Sequence, residues 1–296
     1  MGMFDGVHLG HQAVVELALH SARRSRGIAG VLTFHPHPSR LLRPDQPTLL
    51  IMDVATKTQV MHGLGIDLVI QKKFGTAFAD LSAEGFVQLL QTKLPGLAAL
   101  YVGENFRFGK GRTGDVNFLV KAAGALGIAV FSAPPIKYNG QVISSTRIRE
   151  ALLKGDIEKA NALLGRNYSS WGKVVPGRQL GRKLGFPTFN FSWQPELQPC
   201  YGVYTVRLAA KGTDPARGKR GVANYGVRPT TEGSATEPLL EVHLLEDGSD
   251  YGVGEDCVVE WHTFLRAERT FSSKEMLREQ IARDKSAAQA YWGLKA

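Results

Sequence analysis

The hydrophobic periodicity of this chain changes near residue 165, and that change constrains the fold more than any other feature. From Gln12 to about Ala133 helical and strand patterns alternate: an amphipathic run through Val14, Leu17 and Ser21, then Ile28 to Phe34, Val54 to His62, Leu68 to Ile70, Ser82 to Leu90, Leu100 to Val102, Val116 to Ala123 and Ile128 to Phe131. Such alternation predicts βαβ units around a parallel sheet. A helical segment from Thr146 to Leu164 follows, reading as an annex or connector. From Trp171 onward short alternating strands dominate: Val203 to Leu208, Gly221 to Tyr225, Leu239 to Leu245 and Cys257 to Phe264, separated by Gly, Pro and Asp. That pattern belongs to an antiparallel barrel or sandwich. The last element reads as a helix opened by Ser272 with Glu275 three residues on, a capping-box spacing, with Leu277, Ile281, Ala288 and Tyr291 on one face. The expectation is two domains: residues 1–164 an α/β domain with a helical annex, and 165–296 a β-barrel with a terminal helix. A length of 296 residues suits two cores better than one.

Composition narrows the function. No apolar run approaches the ~20 residues of a membrane helix, and Asp5 with two histidines stands where a signal peptide needs a basic patch and an apolar segment. The cytoplasm is therefore the expected compartment, with no membrane partner. The two cysteines, Cys200 and Cys257, are far apart and lack Cys-x-x-Cys spacing, which indicates neither a disulfide framework nor a zinc knuckle. A net charge of +9 suits a nucleic acid or a polyanionic small substrate. Here the basic residues cluster inside glycine-rich loops rather than along one helix, which favours nucleotides over nucleic acid. Gly109-Lys110-Gly111-Arg112-Thr113-Gly114 matches Gly-x-Gly-x-x-Gly but lacks the acidic residue of a dinucleotide site, and Gly103 to Lys110 misses the Walker A spacing.

Two motifs carry chemistry. In Gly2-Met3-Phe4-Asp5-Gly6-Val7-His8-Leu9-Gly10-His11, His-x-Gly-His stands just before an amphipathic helix, where free N–H groups and the helix dipole favour phosphate. Three-residue spacing stacks His8 and His11 on one side of the first turn, and Gly10 leaves room for an adenine against the backbone. In Pro176-Gly177-Arg178-Gln179-Leu180-Gly181-Arg182-Lys183-Leu184-Gly185-Phe186-Pro187-Thr188-Phe189-Asn190, glycines at every fourth position with interleaved cations form a backbone cradle for phosphate.

The first motif resembles the FMN adenylyltransferase module of the nucleotidyltransferase superfamily. Thr33-Phe34-His35-Pro36-His37-Pro38, Gly103-Glu104-Asn105-Phe106-Arg107-Phe108-Gly109 and Ile143-Ser144-Ser145-Thr146-Arg147-Ile148-Arg149 resemble the same family in the same order. The second motif resembles the nucleotide loop of riboflavin kinases, which usually ends Gly-Phe-Pro-Thr-Ala-Asn. Pro199 to Tyr204, Gly221 to Thr230, Leu239 to Leu245 and Phe264 to Glu268 resemble that family too. The resemblance therefore implies a bacterial bifunctional riboflavin kinase and FAD synthetase, with a Rossmann-like nucleotidyltransferase domain ahead of the barrel.

For the first half it implies that His8, His11 and Arg147 stabilise phosphate charge as FMN attacks ATP. Gly6, Gly10, Ser144, Ser145 and Thr146 would bind ATP, the Ser and Thr oxygens capping a helix, and Asn105 and Arg107 would bind the flavin. For the second half it implies Glu241 as the base for the riboflavin 5′-hydroxyl, Gly177, Gly181, Lys183 and Gly185 around the ATP phosphates, Thr188 and Asn190 as Mg²⁺ ligands, and Arg266 and Glu268 at the flavin. Strand alternation puts Glu241 and His243 on the face opposite Leu240, Val242 and Leu244. The chain departs from the pattern at Asn105, where many relatives carry an acid, at Phe189 in place of alanine, and at Ser249-Asp250-Tyr251-Gly252 in place of Asp-Leu-Tyr-Gly. The family also carries a strand ahead of Gly2, so Met1 is expected to fall short of the true start. Two other readings stay open: a riboflavin kinase whose first domain only binds nucleotide, and a non-enzymatic flavin- or nucleic-acid-binding regulator.

Overall fold

The computed structural model describes residues 1–177, 185–227 and 238–294. The chain divides into two compact units, Met1–Ser145 and Thr146–Ala296.

In the first unit β1 (Gly30–His35) pairs in parallel with β2 (Leu68–Lys73), and β3 (Ala99–Gly103) pairs in parallel with β4 (Ala129–Ala133). The first residues touch both pairs: the Gly2 N–H donates to the Leu32 carbonyl (3.1 Å) and the Met1 amine to the Tyr101 carbonyl (2.9 Å). The parallel pairing expected from the alternating pattern is present, here as two two-stranded sheets. A third, antiparallel pair, β5 (Lys137–Tyr138) and β6 (Gln141–Val142), turns at Asn139-Gly140, both at positive φ, as a two-residue hairpin requires.

The helices of this unit are α1 (Leu9–Ser25), α2 (Ser39–Leu42), α3 (Val54–Gly63), α4 (Thr76–Ala79), α5 (Ala83–Lys93) and α6 (Val116–Gly124). Side chains start the longer ones. Asp53, Ser82 and Asp115 accept the backbone N–H groups of Thr56, Gly85 and Phe118, satisfying donors that have no partner inside the helix. One core gathers Val7, Val15, Val31, Met61 and Ile66, and another gathers Phe86, Leu90, Leu100, Val102, Leu119 and Ile128. Gly109 to Gly114, the glycine pattern set aside above, forms a short 3-10 turn closed by a Phe108 to Gly114 bridge and opens no helix at the expected place.

The segment Thr146 to Leu164 is two helices, α7 (Ser145–Lys154) and α8 (Ile157–Leu164), instead of one. Gly155, at φ +77, breaks the run, and Asp156 caps the second helix. This annex packs on barrel residues. The Asn161 side chain donates to the Trp261 carbonyl (2.8 Å) and accepts the Tyr168 N–H (2.7 Å), and the Cys200 N–H donates to the Leu152 carbonyl (2.9 Å). As compact bodies the halves therefore part at Ser145/Thr146, ahead of residue 165.

The second unit is a closed antiparallel barrel of β7 (Tyr168–Val175), β8 (Phe189–Ser192), β9 (Gly202–Ala210), β10 (Lys219–Val227), β11 (Pro238–Leu244) and β12 (Asp256–Ala267), in the order β10-β11-β8-β7-β12-β9. Strand alternation sends Phe191, Tyr204, Tyr225, Leu240, Val242 and Trp261 inward, all fully buried. Tyr204 and Trp261 meet edge to face at 4.6 Å, and the indole N–H donates to the Ser170 hydroxyl at 2.9 Å.

The terminal helix, α9 (Lys274–Tyr291), covers Val203 and Val222 on the barrel's outer face with Ala288. Its cap is Ser273, which accepts the Met276 N–H, so the helix starts one residue later than the Ser272/Glu275 box implies and Met276 stands where a box would need Glu or Gln. Its buried face runs through Asp284 and Ala288, while Tyr291 is exposed. A charge enters that face because Arg266 pairs with it bidentately, at 2.8 and 2.7 Å, and Gln280 adds a third bond. Asp284→Ala strips both bidentate bonds from a mostly buried guanidinium and leaves it the exposed Ala267 carbonyl; it is expected to destabilise the barrel by about 3 kcal/mol, measurable as a lower denaturant midpoint by tryptophan fluorescence.

Candidate active sites

At the start of α1 the backbone is bent hard. Phe4 (φ +50), Gly6 (φ +83) and Val7 (φ +43) all occupy the left-handed region, which is costly for a β-branched residue and persists only when neighbours hold it. The Gln12 side chain donates to the Val7 carbonyl (2.8 Å), and the Asp5 carboxylate accepts the Ile51 N–H (3.0 and 3.2 Å). His8 is the N-cap, its Nδ1 accepting the His11 N–H at 3.3 Å. When neutral, its proton therefore sits on Nε2. The His8 and His11 rings stack at 3.6 Å, as their spacing predicts. Gly10 has a reason at hand besides an adenine: a Cβ there would press on the His8 ring at 3.2 Å.

The Ser145 hydroxyl donates to the Asp5 carbonyl at 2.8 Å and so joins this residue to the histidine turn. Ser144 and Ser145 belong to the first unit, Thr146 and Arg147 to the second. Asn105 is exposed, and Arg107 makes an exposed ion pair with Asp115 at 3.3 Å. Near the C-terminal ends of β1 and β2 the half-buried rings of Phe34, Phe74 and Phe78 lie 5.4 to 6.3 Å apart.

The barrel carries the second constellation. Glu241 on β11 stands directly opposite Asn190 on β8 and Asn224 on β10. Leu240 and Val242 point inward, so Glu241 lies on the outer face with His243, as alternation requires. Sequence reasoning missed Asn224, because only strand register reveals it. Asn190 is buried, and its amide rests on Gly177, where any Cβ would overlap it. His243 Nδ1 bonds the Pro187 carbonyl at 2.8 Å, steadying the residue ahead of Thr188. Burial pushes this imidazole below its usual range; the Pro187 carbonyl opposes that and the Lys285 charge adds to it. Phe189 faces away from Asn190 and packs on Tyr251 at 6.0 Å, with Gly248 making room. The phenylalanine that replaces alanine is thus accommodated by Tyr251 and Gly248.

Gly185 turns at φ +88, while Gly181 and Lys183 lie outside the described residues. Glu268 sits over Gly226, whose missing side chain leaves it space. Arg266, expected at the flavin, pairs with Asp284 at 2.7 Å.

A family model described as FAD synthetase matches residues 1–147, and one described as riboflavin kinase matches residues 164–292. The bifunctional riboflavin kinase/FMN adenylyltransferase of Escherichia coli (strain K12) is 36% identical over 294 residues, covering 99% of this chain and 92% of that protein. The protein of the same name from Bacillus subtilis (strain 168) is 35% identical over 297 residues, covering 99% and 91%. Among solved structures, that of a macrolide-efflux protein from Streptococcus pneumoniae is similar with a TM-score of 0.85 at 28% identity, over 98% of this chain and 92% of that one. Among the described residues of this chain, no helix is long and apolar enough to cross a membrane.

Proposed function

The chain belongs to the bifunctional riboflavin kinase/FMN adenylyltransferase family, and from that membership we propose how its residues divide two reactions. It is an enzyme that phosphorylates riboflavin to FMN with ATP and then adenylylates FMN to FAD, releasing pyrophosphate. We assign adenylylation to residues 1–164 and phosphorylation to residues 165–296.

In the barrel, Glu241 removes the proton of riboflavin's 5′-hydroxyl as that oxygen attacks the γ-phosphorus of ATP, and ADP leaves. One observation carries this reading: register sets Glu241 between Asn190 and Asn224 on one face. Thr188 and Asn190 suit Mg²⁺ because both offer oxygen, and the Gly177 surface under the Asn190 amide orients one of them. When bound, Mg²⁺ supplies charge neutralisation on the ATP phosphates. Glu268 is assigned to the flavin side of this site, with Gly177, Gly185, Gly181 and Lys183 around the phosphates.

In the first unit a phosphate oxygen of FMN attacks the α-phosphorus of ATP. The first-turn N–H groups of α1, the His8 Nε2–H and His11 meet the charge that develops on the phosphates. The motif supports adding Ser144 to that set. Phe34, Phe74 and Phe78 offer an apolar platform for the isoalloxazine at the strand ends, where ligands of parallel sheets bind. Asn105 and Arg107 are assigned to the remainder of the flavin nucleotide. We place both reactions in the cytoplasm, where ATP is supplied.

The test is a time course with riboflavin, ATP and Mg²⁺, the flavins separated chromatographically. FMN appearing first and FAD following is the expected result. FMN alone would confine the chemistry to the barrel, and neither product from a folded sample would return the chain to a binding role.

A further inference from the structure

Lys57 is buried, 6% exposed, in the first turn of α3. Both circumstances disfavour a cation: burial strips its water, and a helix N-terminus carries the wrong end of the dipole. Desolvation lowers its pKa, with Asp5 opposing. The ammonium is not idle. It donates to the Met3 carbonyl (3.1 Å) and to the Thr33 hydroxyl (2.9 Å), and that hydroxyl donates in turn to the same Met3 carbonyl (3.1 Å). The three groups form a closed knot joining α3, β1 and the residue that enters the left-handed turn at Phe4. From there the chain runs through Asp5, Gly6 and Val7 to the stacked imidazoles.

We propose that Lys57 is a positioning residue for adenylylation: its ammonium, knotted to Met3 and Thr33, holds the strained turn that aims His8 and His11. The inference rests on the assignment of adenylylation to that turn. A medium-sized apolar residue would fill the site without a desolvation cost, so a lysine kept there at the wrong end of a helix has a task in the turn's geometry.

The test is Lys57→Met in the full chain, with both activities measured and the His8 and His11 imidazoles followed by ¹⁵N-resolved NMR. The rate constant for FAD formation from supplied FMN should fall about 10²-fold, the cost typical of an ångström of misplacement. The two imidazole signals should move, and FMN formation should persist. A lysine that merely supports the fold would lower thermal stability and leave those signals in place in the folded protein. Unmoved signals with FAD formation within about threefold of the parent would overturn the proposal. If Lys57→Met does not fold, Thr33→Val decides by the same two readouts, since it removes one acceptor at nearly constant volume. A parallel His11→Ala sample separates the premises: FAD formation surviving there would remove the site assignment itself.

Discussion

Glu241→Ala should abolish FMN formation, by about 10³-fold or more, while FAD formation from supplied FMN continues at the parent rate. The riboflavin hydroxyl is a poor nucleophile until its proton has an acceptor, and a positioned carboxylate is worth roughly 10²–10⁴ in such transfers. No other carboxylate stands opposite both Asn190 and Asn224 in the register of the described strands. Glu241→Gln keeps the shape and a hydrogen-bond acceptor but loses the base, so it should fall nearly as far. Both variants should stay folded, because Glu241 lies on the outer face while Leu240 and Val242 carry the core contacts. The measurement is FMN production from riboflavin beside FAD production from FMN on one sample. A folded Glu241→Ala protein that lost both would refute the division into two sites.

His11→Ala is the mirror case: FAD formation should drop by about 10²–10³-fold with FMN formation untouched, so that riboflavin and ATP yield FMN that accumulates. The geometry explains why the loss should fall on the chemical step. The His11 backbone N–H fixes His8 through Nδ1, and the His11 ring stacks on His8 at 3.6 Å while Phe4 meets its other neighbourhood edge-on at 5.2 Å. The ring is thus held before ATP arrives, and preorganised donors act on charge that develops in the transition state. Removing it should lower kcat more than it raises the KM for ATP. A variant that changed only KM would make His11 a binding residue.

What was legible in the sequence is what depends on neighbours along the chain. His8 and His11 meet because three-residue spacing stacks side chains at a helix start. Glu241 and His243 share a face because strands alternate. The change of period near residue 165 separates a unit whose two longer strand pairs are parallel from an antiparallel barrel. The terminal helix was legible too, though its cap lies at Ser273 and not Ser272, since two adjacent serines offer the same hydroxyl and only geometry chooses.

Tertiary structure decided what depends on residues distant in sequence. Asn224 joins Glu241 and Asn190 only through register, Gly177 makes room for an amide thirteen positions later in the chain (177 to 190), and α8 packs against barrel strands. Asp284 and Arg266, eighteen positions apart, neutralise each other once the fold brings them together, and the carboxylate can then be buried. Lys57 can be buried because Met3 and Thr33 close around its ammonium. In each case the free energy of a polar group depends on what stands opposite it once water is gone, and that partner comes from another part of the chain.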